Sequence, residues 1–152
     1  PMAPSEQTTA AEPALESTNR KATRRGLIAA VAGGLLQGLW AIYANSEHSQ
    51  AEYLRAGVVQ GMNSFVMSFV ITFFMEWIVV LYDRIHPVVL RFAAALASAF
   101  LFMVTIHYGS NWIFGTPDIL ETIAPAIIIG TIYCSSYLLA RLGLVSRRAR
   151  KG

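Results

Sequence analysis

The sequence carries little charge and a single cysteine. Only 14% of its 152 residues are charged, whereas a typical soluble domain has about 25%. This deficit disfavours a soluble globular enzyme, and it also disfavours a DNA-binding module despite a formal net charge of +3. Cys134 has no second cysteine to pair with, which excludes an internal disulfide. No cysteine and histidine residues stand at metal-ligand spacing, so we expect no metal site.

Catalytic and phosphate-binding motifs are missing as well. The sequence has no HExxH, no Ser-His-Asp arrangement, no pair of membrane aspartates and no phosphate loop. We therefore expect a protein that is not an enzyme, binds no cofactor and has no nucleic-acid partner.

What the sequence does have is long hydrophobic runs, since 55% of its residues are hydrophobic. A helix needs roughly 20 apolar residues to cross about 30 Å of hydrocarbon, and a helix satisfies its own backbone in lipid. Four segments meet this length, at about 26–44, 57–82, 88–109 and 117–140. They predict an all-α integral membrane protein, with four transmembrane helices packed as an antiparallel bundle in contact with the lipid bilayer.

The flanking segments predict the orientation of the chain. Residues 1–25 are polar and lack aromatic side chains, which predicts a disordered N-terminal tail, and residues 141–152 form a basic C-terminal tail. With four spans, both tails and the 83–87 loop share one side of the membrane. That side holds eleven of the twelve basic residues, namely Arg20, Lys21, Arg24, Arg25, Arg84, Arg91, Arg141, Arg147, Arg148, Arg150 and Lys151. Because basic residues concentrate in cytoplasmic loops, we expect a multi-pass protein of the inner (plasma) membrane with both termini cytoplasmic.

Glu76 is the one charged residue inside the second apolar run. It lies six residues before the predicted inner end of this span, at a depth of about 9 Å by helical rise. A carboxylate at that depth is costly unless it is protonated, paired or facing a wet cavity. One interpretation makes Glu76 a proton-coupling or cation-coupling group. The other makes it a structural acid paired with Arg84 or Arg91.

A polar ridge leads to Glu76 along the second helix. Its other members recur every four residues, with Asn63 beside them, and are Gln60, Ser64, Ser68 and Thr72. The functional interpretation is a polar lining of a path toward Glu76. The alternative is helix packing, because small hydroxyl side chains bond their own helix and let helices approach. We favour packing for the serine and threonine members.

Small residues at four-residue spacing predict close contacts between helices. The clearest are Gly34 and Gly38 in the first span, Gly57 and Gly61 in the second, and Gly130 in the fourth. Pro125 interrupts the fourth span and predicts a kink, which acts either as a hinge or as a static bend.

Polar residues also gather at the predicted outer end of the spans. They are His107, Asn111, Asp118 and Glu121. This cluster predicts either an acidic mouth for a cation with a pH-responsive histidine, or ordinary polar groups at the membrane interface.

Two functional hypotheses follow. The first is a small transporter or channel that works as a homo-oligomer, with Glu76 as its coupling group. The second is a non-catalytic structural, assembly or accessory subunit bound to another membrane protein. In outline the chain resembles the small multidrug transporters, which also combine four spans with a membrane glutamate. Their glutamate lies in the first helix, whereas the first span here has no charge, so we assign no family.

Overall fold

The described part of the chain, residues 4–143 of a computed structural model, is built from helices alone. The elements are α1 (Pro4–Ala44), α2 (Gln50–Leu81), α3 (Val88–Ile113) and α4 (Ile119–Arg141). Each contains a stretch that is long and apolar enough to cross a membrane. The prediction of an all-helical chain with four such helices is therefore confirmed for helix number, length and composition.

Helices α2 and α3 each extend beyond one end of the apolar run that predicts them, whereas α4 begins two residues later than predicted, at Ile119. α2 begins at Gln50 rather than at residue 57, because Glu52 accepts hydrogen bonds from the backbone N–H (3.0 Å) and the hydroxyl (2.6 Å) of Ser49 at its start. α3 continues to Ile113 rather than ending at residue 109. These additional turns are polar or interfacial, so an apolar window does not detect them.

α1 also begins earlier than predicted. Its membrane-length stretch is Thr23–Ala44, but the helix starts at Pro4, within the segment assigned above to a disordered tail. Alanine, glutamate and arginine recur there and favour helix, so a helix nucleated by the apolar stretch extends into them, although Pro13 within this segment opposes it. Residues 144–152, most of the predicted basic tail, lie outside the described residues.

The hydrophobic core lies between α2, α3 and α4. α2 contributes Met67, Ile71, Met75, Ile78 and Val79; α3 contributes Ala95, Ala99 and Met103; α4 contributes Cys134 and Leu138. Phe74 and Phe102 stack beside it with ring centroids 4.0 Å apart. Within the described residues, α1 adds no side chain to this cluster, so other contacts hold α1 in place.

Glycines bring α1 and α2 into backbone contact. A Cβ atom added to Gly34 would lie 2.9 Å from the carbonyl oxygen of Gly61, and one added to Gly38 would lie 2.9 Å from that of Gly57. Real Cβ atoms essentially never approach an oxygen so closely. The four glycines therefore form two facing pairs, 34 with 61 and 38 with 57, and this crossing is the main attachment of α1.

α4 contacts α3 extensively and meets α1 over a narrower strip. Pro125 lies inside α4, two turns from its start. At Gly130, one turn further on, an added Cβ would meet the sulfur of Met103 on α3. α4 thus packs closely on α3 and only loosely on α1, which leaves space between α1 and α4.

Candidate functional site

Asn45 joins α1 to α4 at the predicted outer end. Its side chain is fully buried, and it donates hydrogen bonds to the carbonyl of Ala41 (2.8 Å) and the hydroxyl of Thr122 (2.7 Å). Its side-chain oxygen accepts the backbone N–H of Asp118 at 2.9 Å. A buried amide group with three good hydrogen-bond partners has a structural role. Asn45 therefore fixes the end of α1 against the start of α4.

Two further contacts strengthen this junction on its exposed side. His48 lies 2.6 Å from the Asp118 carboxylate, and the indole N–H of Trp40 donates to the carbonyl of Glu121 at 2.9 Å. We call Trp40, Asn45, His48, Asp118 and Thr122 the outer clasp. Because these contacts span α1 and α4 at one end only, they close the seam between the two helices there and leave its middle free.

The predicted outer polar cluster is divided between two places. Asp118 and Glu121 belong to the clasp region, whereas His107 and Asn111 are buried between α3 and α2. There the side-chain oxygen of Gln60 accepts the Asn111 amide at 3.0 Å and lies 3.4 Å from Nδ1 of His107. The four residues therefore do not form a single mouth.

Gln60 and Asn63 fasten α2 to α3. Asn63 donates to the hydroxyl of Ser110, and the side-chain oxygen of Asn111 accepts the hydroxyl of Thr116 at 2.8 Å. Gln60, the first member of the polar ridge, and Asn63 beside it thus face α3 rather than a common path with Glu76.

A cleft of about 320 Å³ opens between α1 and α4 at the middle of the spans. Leu36 and Ile129 stand at its rim with 64% and 55% of their surface exposed, so the opening faces sideways, away from the bundle. All four helices contribute to its lining, with Gly33, Leu36 and Gln37 from α1, Ser64, Met67, Ser68 and Ile71 from α2, Met103 and His107 from α3, and Ala126, Ile129, Gly130 and Tyr133 from α4. Most of this lining is apolar.

The floor of the α1–α4 cleft carries polar atoms that lack partners. Oε1 of Gln37 and Oγ of Ser64 are buried and have no hydrogen bond within the described chain, and neither has Nε2 of Gln60 one turn away. An unsatisfied buried polar group costs about 1–3 kcal/mol. Gln37 lies seven residues before the end of α1, a depth of about 10 Å by helical rise. The cleft therefore combines apolar walls with two unsatisfied oxygen atoms deep inside.

Glu76 lies outside this cleft. The Tyr137 hydroxyl donates to one oxygen of its carboxylate, and Arg141 lies 3.5 Å from the other. Both partners belong to α4, whereas the sequence suggested Arg84 or Arg91. Arg91 instead pairs with Asp83 at 2.7 Å.

The remaining ridge residues divide between the α1–α4 cleft and α4. Ser64 and Ser68 line the cleft, and the Ser68 hydroxyl donates to the carbonyl of Ser64 at 2.8 Å. The Thr72 hydroxyl lies 3.2 Å from that of Tyr133. The ridge is thus three local arrangements rather than one continuous polar line.

Sequence reasoning did not single out Gln37 or Asn45, although both carry a usable signal. Gln37 is the one amide side chain in the uncharged 26–44 run, and Asn45 follows that run directly. Burying an amide side chain in hydrocarbon costs free energy unless it has a hydrogen-bond partner. That cost marks both residues as positions where a partner is expected, although it does not identify the partner.

Comparisons with protein-family models, with curated proteins and with solved structures found no match for this chain. Function is therefore inferred from the geometry of the α1–α4 cleft and of the groups around it.

Proposed function

We propose that this chain is a membrane protein that binds a lipophilic molecule from the bilayer in the α1–α4 cleft, as part of the transport or handling of that molecule. In this proposal the four helices form an antiparallel bundle in the inner membrane with both termini cytoplasmic, as the distribution of basic residues favours. The role is non-catalytic. A homo-oligomer or a complex with another membrane protein is compatible with it.

The observation that carries the proposal is the sideways opening at mid-span. A site for a water-soluble substrate would open toward an end of the bundle, whereas Leu36 and Ile129 frame a mouth on the side of the bundle, which would face the hydrocarbon region of a bilayer. Ligand sites are mostly apolar, with a few placed polar groups that fix orientation. The α1–α4 cleft has this character.

The polar floor defines the class of ligand. Oε1 of Gln37 is an acceptor without a donor, and Oγ of Ser64 is able both to donate and to accept. Both atoms are covered in the structure, so the ligand would enter with a shift of these side chains. A ligand hydroxyl would then satisfy both atoms, by donating to Oε1 of Gln37 and accepting from the hydroxyl of Ser64. We therefore propose a long apolar molecule with one neutral hydrogen-bond donor, because the lining within the described residues contains no carboxylate or basic side chain other than His107.

Gly33→Leu is expected to block this site, because Gly33 lines the cleft and a Cβ there meets no atom within 4 Å. The leucine side chain would extend into the space that the ligand occupies without disturbing the backbone. We expect at least about a tenfold loss of binding, which corresponds to about 1.4 kcal/mol. The measurement is photolabelling of the full chain in lipid nanodiscs with a diazirine-bearing long-chain alcohol, followed by peptide mapping.

Gly109→Leu is the matched control, because an added Cβ at Gly109 also meets nothing within 4 Å and this residue does not line the cleft. Labelling of the wild type should concentrate on the cleft residues of α1 and α4. The methyl ether of the same probe and the variant Gln37→Leu should each weaken labelling about fivefold, the effect of one hydrogen bond. Labelling that spreads evenly over the outward-facing residues and ignores Gly33→Leu would contradict the proposal.

A second candidate function keeps Glu76 as a proton-coupling or cation-coupling group of an oligomeric transporter or channel. The observation in its favour is that the carboxylate is half-exposed on the outside of the bundle. A carboxylate is costly at a lipid-facing surface, so a neighbouring subunit or a bound cation would improve its surroundings.

Glu76→Gln is expected to leave folding intact. The glutamine oxygen still accepts the Tyr137 hydroxyl, and the neutral amide removes the cost of a carboxylate at a lipid-facing surface together with its long (3.5 Å) contact to Arg141. Proton uptake into proteoliposomes, followed with an enclosed pH-sensitive dye, then tests whether the negative charge of Glu76 is needed for transport. Loss of wild-type uptake in this variant would support coupling through Glu76, whereas unchanged uptake would assign Glu76 to the structural pair.

A further inference from the structure

A second cleft, of about 910 Å³, lies at the predicted inner end of the bundle. The loop between α2 and α3 forms one side of it and the end of α4 forms the other. Three arginines line it, Arg84, Arg91 and Arg141, against a single acid, Asp83. We call it the arginine cleft. It lies well apart from the α1–α4 cleft, since the two share no lining residue.

The three arginines differ in how far they are already neutralised. Arg91 is held by the Asp83 carboxylate at 2.7 Å and by the carbonyl of Val79 at 2.7 Å. Arg141 has a longer contact, 3.5 Å, with Glu76. Arg84 makes no ion pair within residues 4–143 and is exposed. The cleft therefore keeps an uncompensated positive charge on Arg84 and a loosely paired one on Arg141.

Apolar residues line the remaining wall of the arginine cleft. They are Val79, Val80, Leu81, Val88 and Leu142. This combination lies where the apolar stretches of α2, α3 and α4 end. Guanidinium groups beside an apolar surface match a phosphate that is attached to a glycerol backbone and acyl chains, because arginine binds phosphate oxygens in bidentate geometry.

We infer that the arginine cleft binds an anionic phosphate group, and that Arg84 and Arg141 are its main ligands. The apolar wall favours the headgroup of an anionic phospholipid as the source of that phosphate over a free phosphate ion. Arg91 positions the site, because its two contacts hold the loop against the end of α2. The inference is independent of any ligand in the α1–α4 cleft.

The test is a titration of the purified full chain in detergent, read by native mass spectrometry. Short-chain phosphatidylglycerol, short-chain phosphatidylcholine and inorganic phosphate are added in separate arms. We expect phosphatidylglycerol to bind more tightly than phosphatidylcholine. Arg84→Gln should weaken phosphatidylglycerol binding about fivefold, the effect of one basic residue at a lipid surface. Equal affinity for inorganic phosphate, with the same loss in Arg84→Gln, would identify free phosphate as the source.

Arg24→Gln is the matched control. Arg24 lies on the same predicted side of the membrane, is exposed and does not line the arginine cleft, so its loss changes the net charge equally. It should leave phosphatidylglycerol binding unchanged. Equal weakening by both variants, or no preference for phosphatidylglycerol over phosphatidylcholine, would overturn the inference, because binding would then follow overall charge or bilayer affinity alone.

Discussion

Replacing Asn45 by leucine is expected to lower the free energy of unfolding by about 3 kcal/mol, from three hydrogen bonds at about 1 kcal/mol each. The substitution removes the donors to Ala41 and Thr122 and the acceptor for the N–H of Asp118. Leucine keeps the branching of asparagine at Cγ and is larger, so no cavity contributes to the loss. Unfolding by sodium dodecyl sulfate in mixed micelles, followed by far-UV circular dichroism, measures the change.

Ser46→Ala is the control for this prediction. Ser46 is adjacent in sequence, exposed, and uses only its backbone in the turn after α1. Its variant should unfold like the wild type. An Asn45→Leu variant that stayed within about 0.5 kcal/mol of wild type, the range of ordinary surface substitutions, would show that the clasp does not hold α1 to α4.

Gly38→Ala is expected to destabilise the protein by about 1–3 kcal/mol, the usual cost of overpacking. The new methyl group would lie 2.9 Å from the carbonyl oxygen of Gly57 and 3.5 Å from the Cα of Gly61. These are backbone atoms, so the two helices must move apart instead of a side chain rotating away. The same micelle unfolding experiment measures the effect.

Gly33→Ala separates packing from helix propensity. Both variants place an alanine in α1 and gain the same backbone preference for helix, but the Cβ at residue 33 meets no atom within 4 Å. Gly33→Ala should therefore match or slightly exceed the wild type in stability. Equal stability of the two alanine variants would show that α1 and α2 are not in backbone contact at Gly38.

The helices could be predicted from the sequence because length and apolarity are local properties. The glycine spacing in the first two spans likewise marks residues suited to close approach. Which glycines face each other depends on how α1 and α2 are placed relative to one another, and the spacing alone does not contain that information. The pairing of Gly34 with Gly61, and of Gly38 with Gly57, comes only from the structure.

The polar residues were harder to interpret for the same reason. Arg84 follows Glu76 closely in the sequence and is the cation that the sequence suggests. The cation that Glu76 contacts in the structure is Arg141, 65 residues later in the chain. His107 and Asp118 both lie near the predicted outer end, but rotation about α3 turns His107 into the bundle. The α1–α4 cleft is a gap between helices, and a gap leaves no pattern in the sequence of either helix. Only the cost of burying Gln37 points toward it.

The sideways mouth of the α1–α4 cleft changes the concentration that governs its occupancy. A molecule that reaches this mouth travels by two-dimensional diffusion, so the relevant quantity is its mole fraction in lipid. Each methylene contributes about 0.8 kcal/mol to transfer out of water, roughly a fourfold gain in partition coefficient, without any new contact to the protein. Longer ligands will therefore show higher apparent affinity in aqueous titrations for reasons unrelated to Gln37 or Ser64. The discrimination exerted by those two side chains is visible only between ligands compared at equal mole fraction.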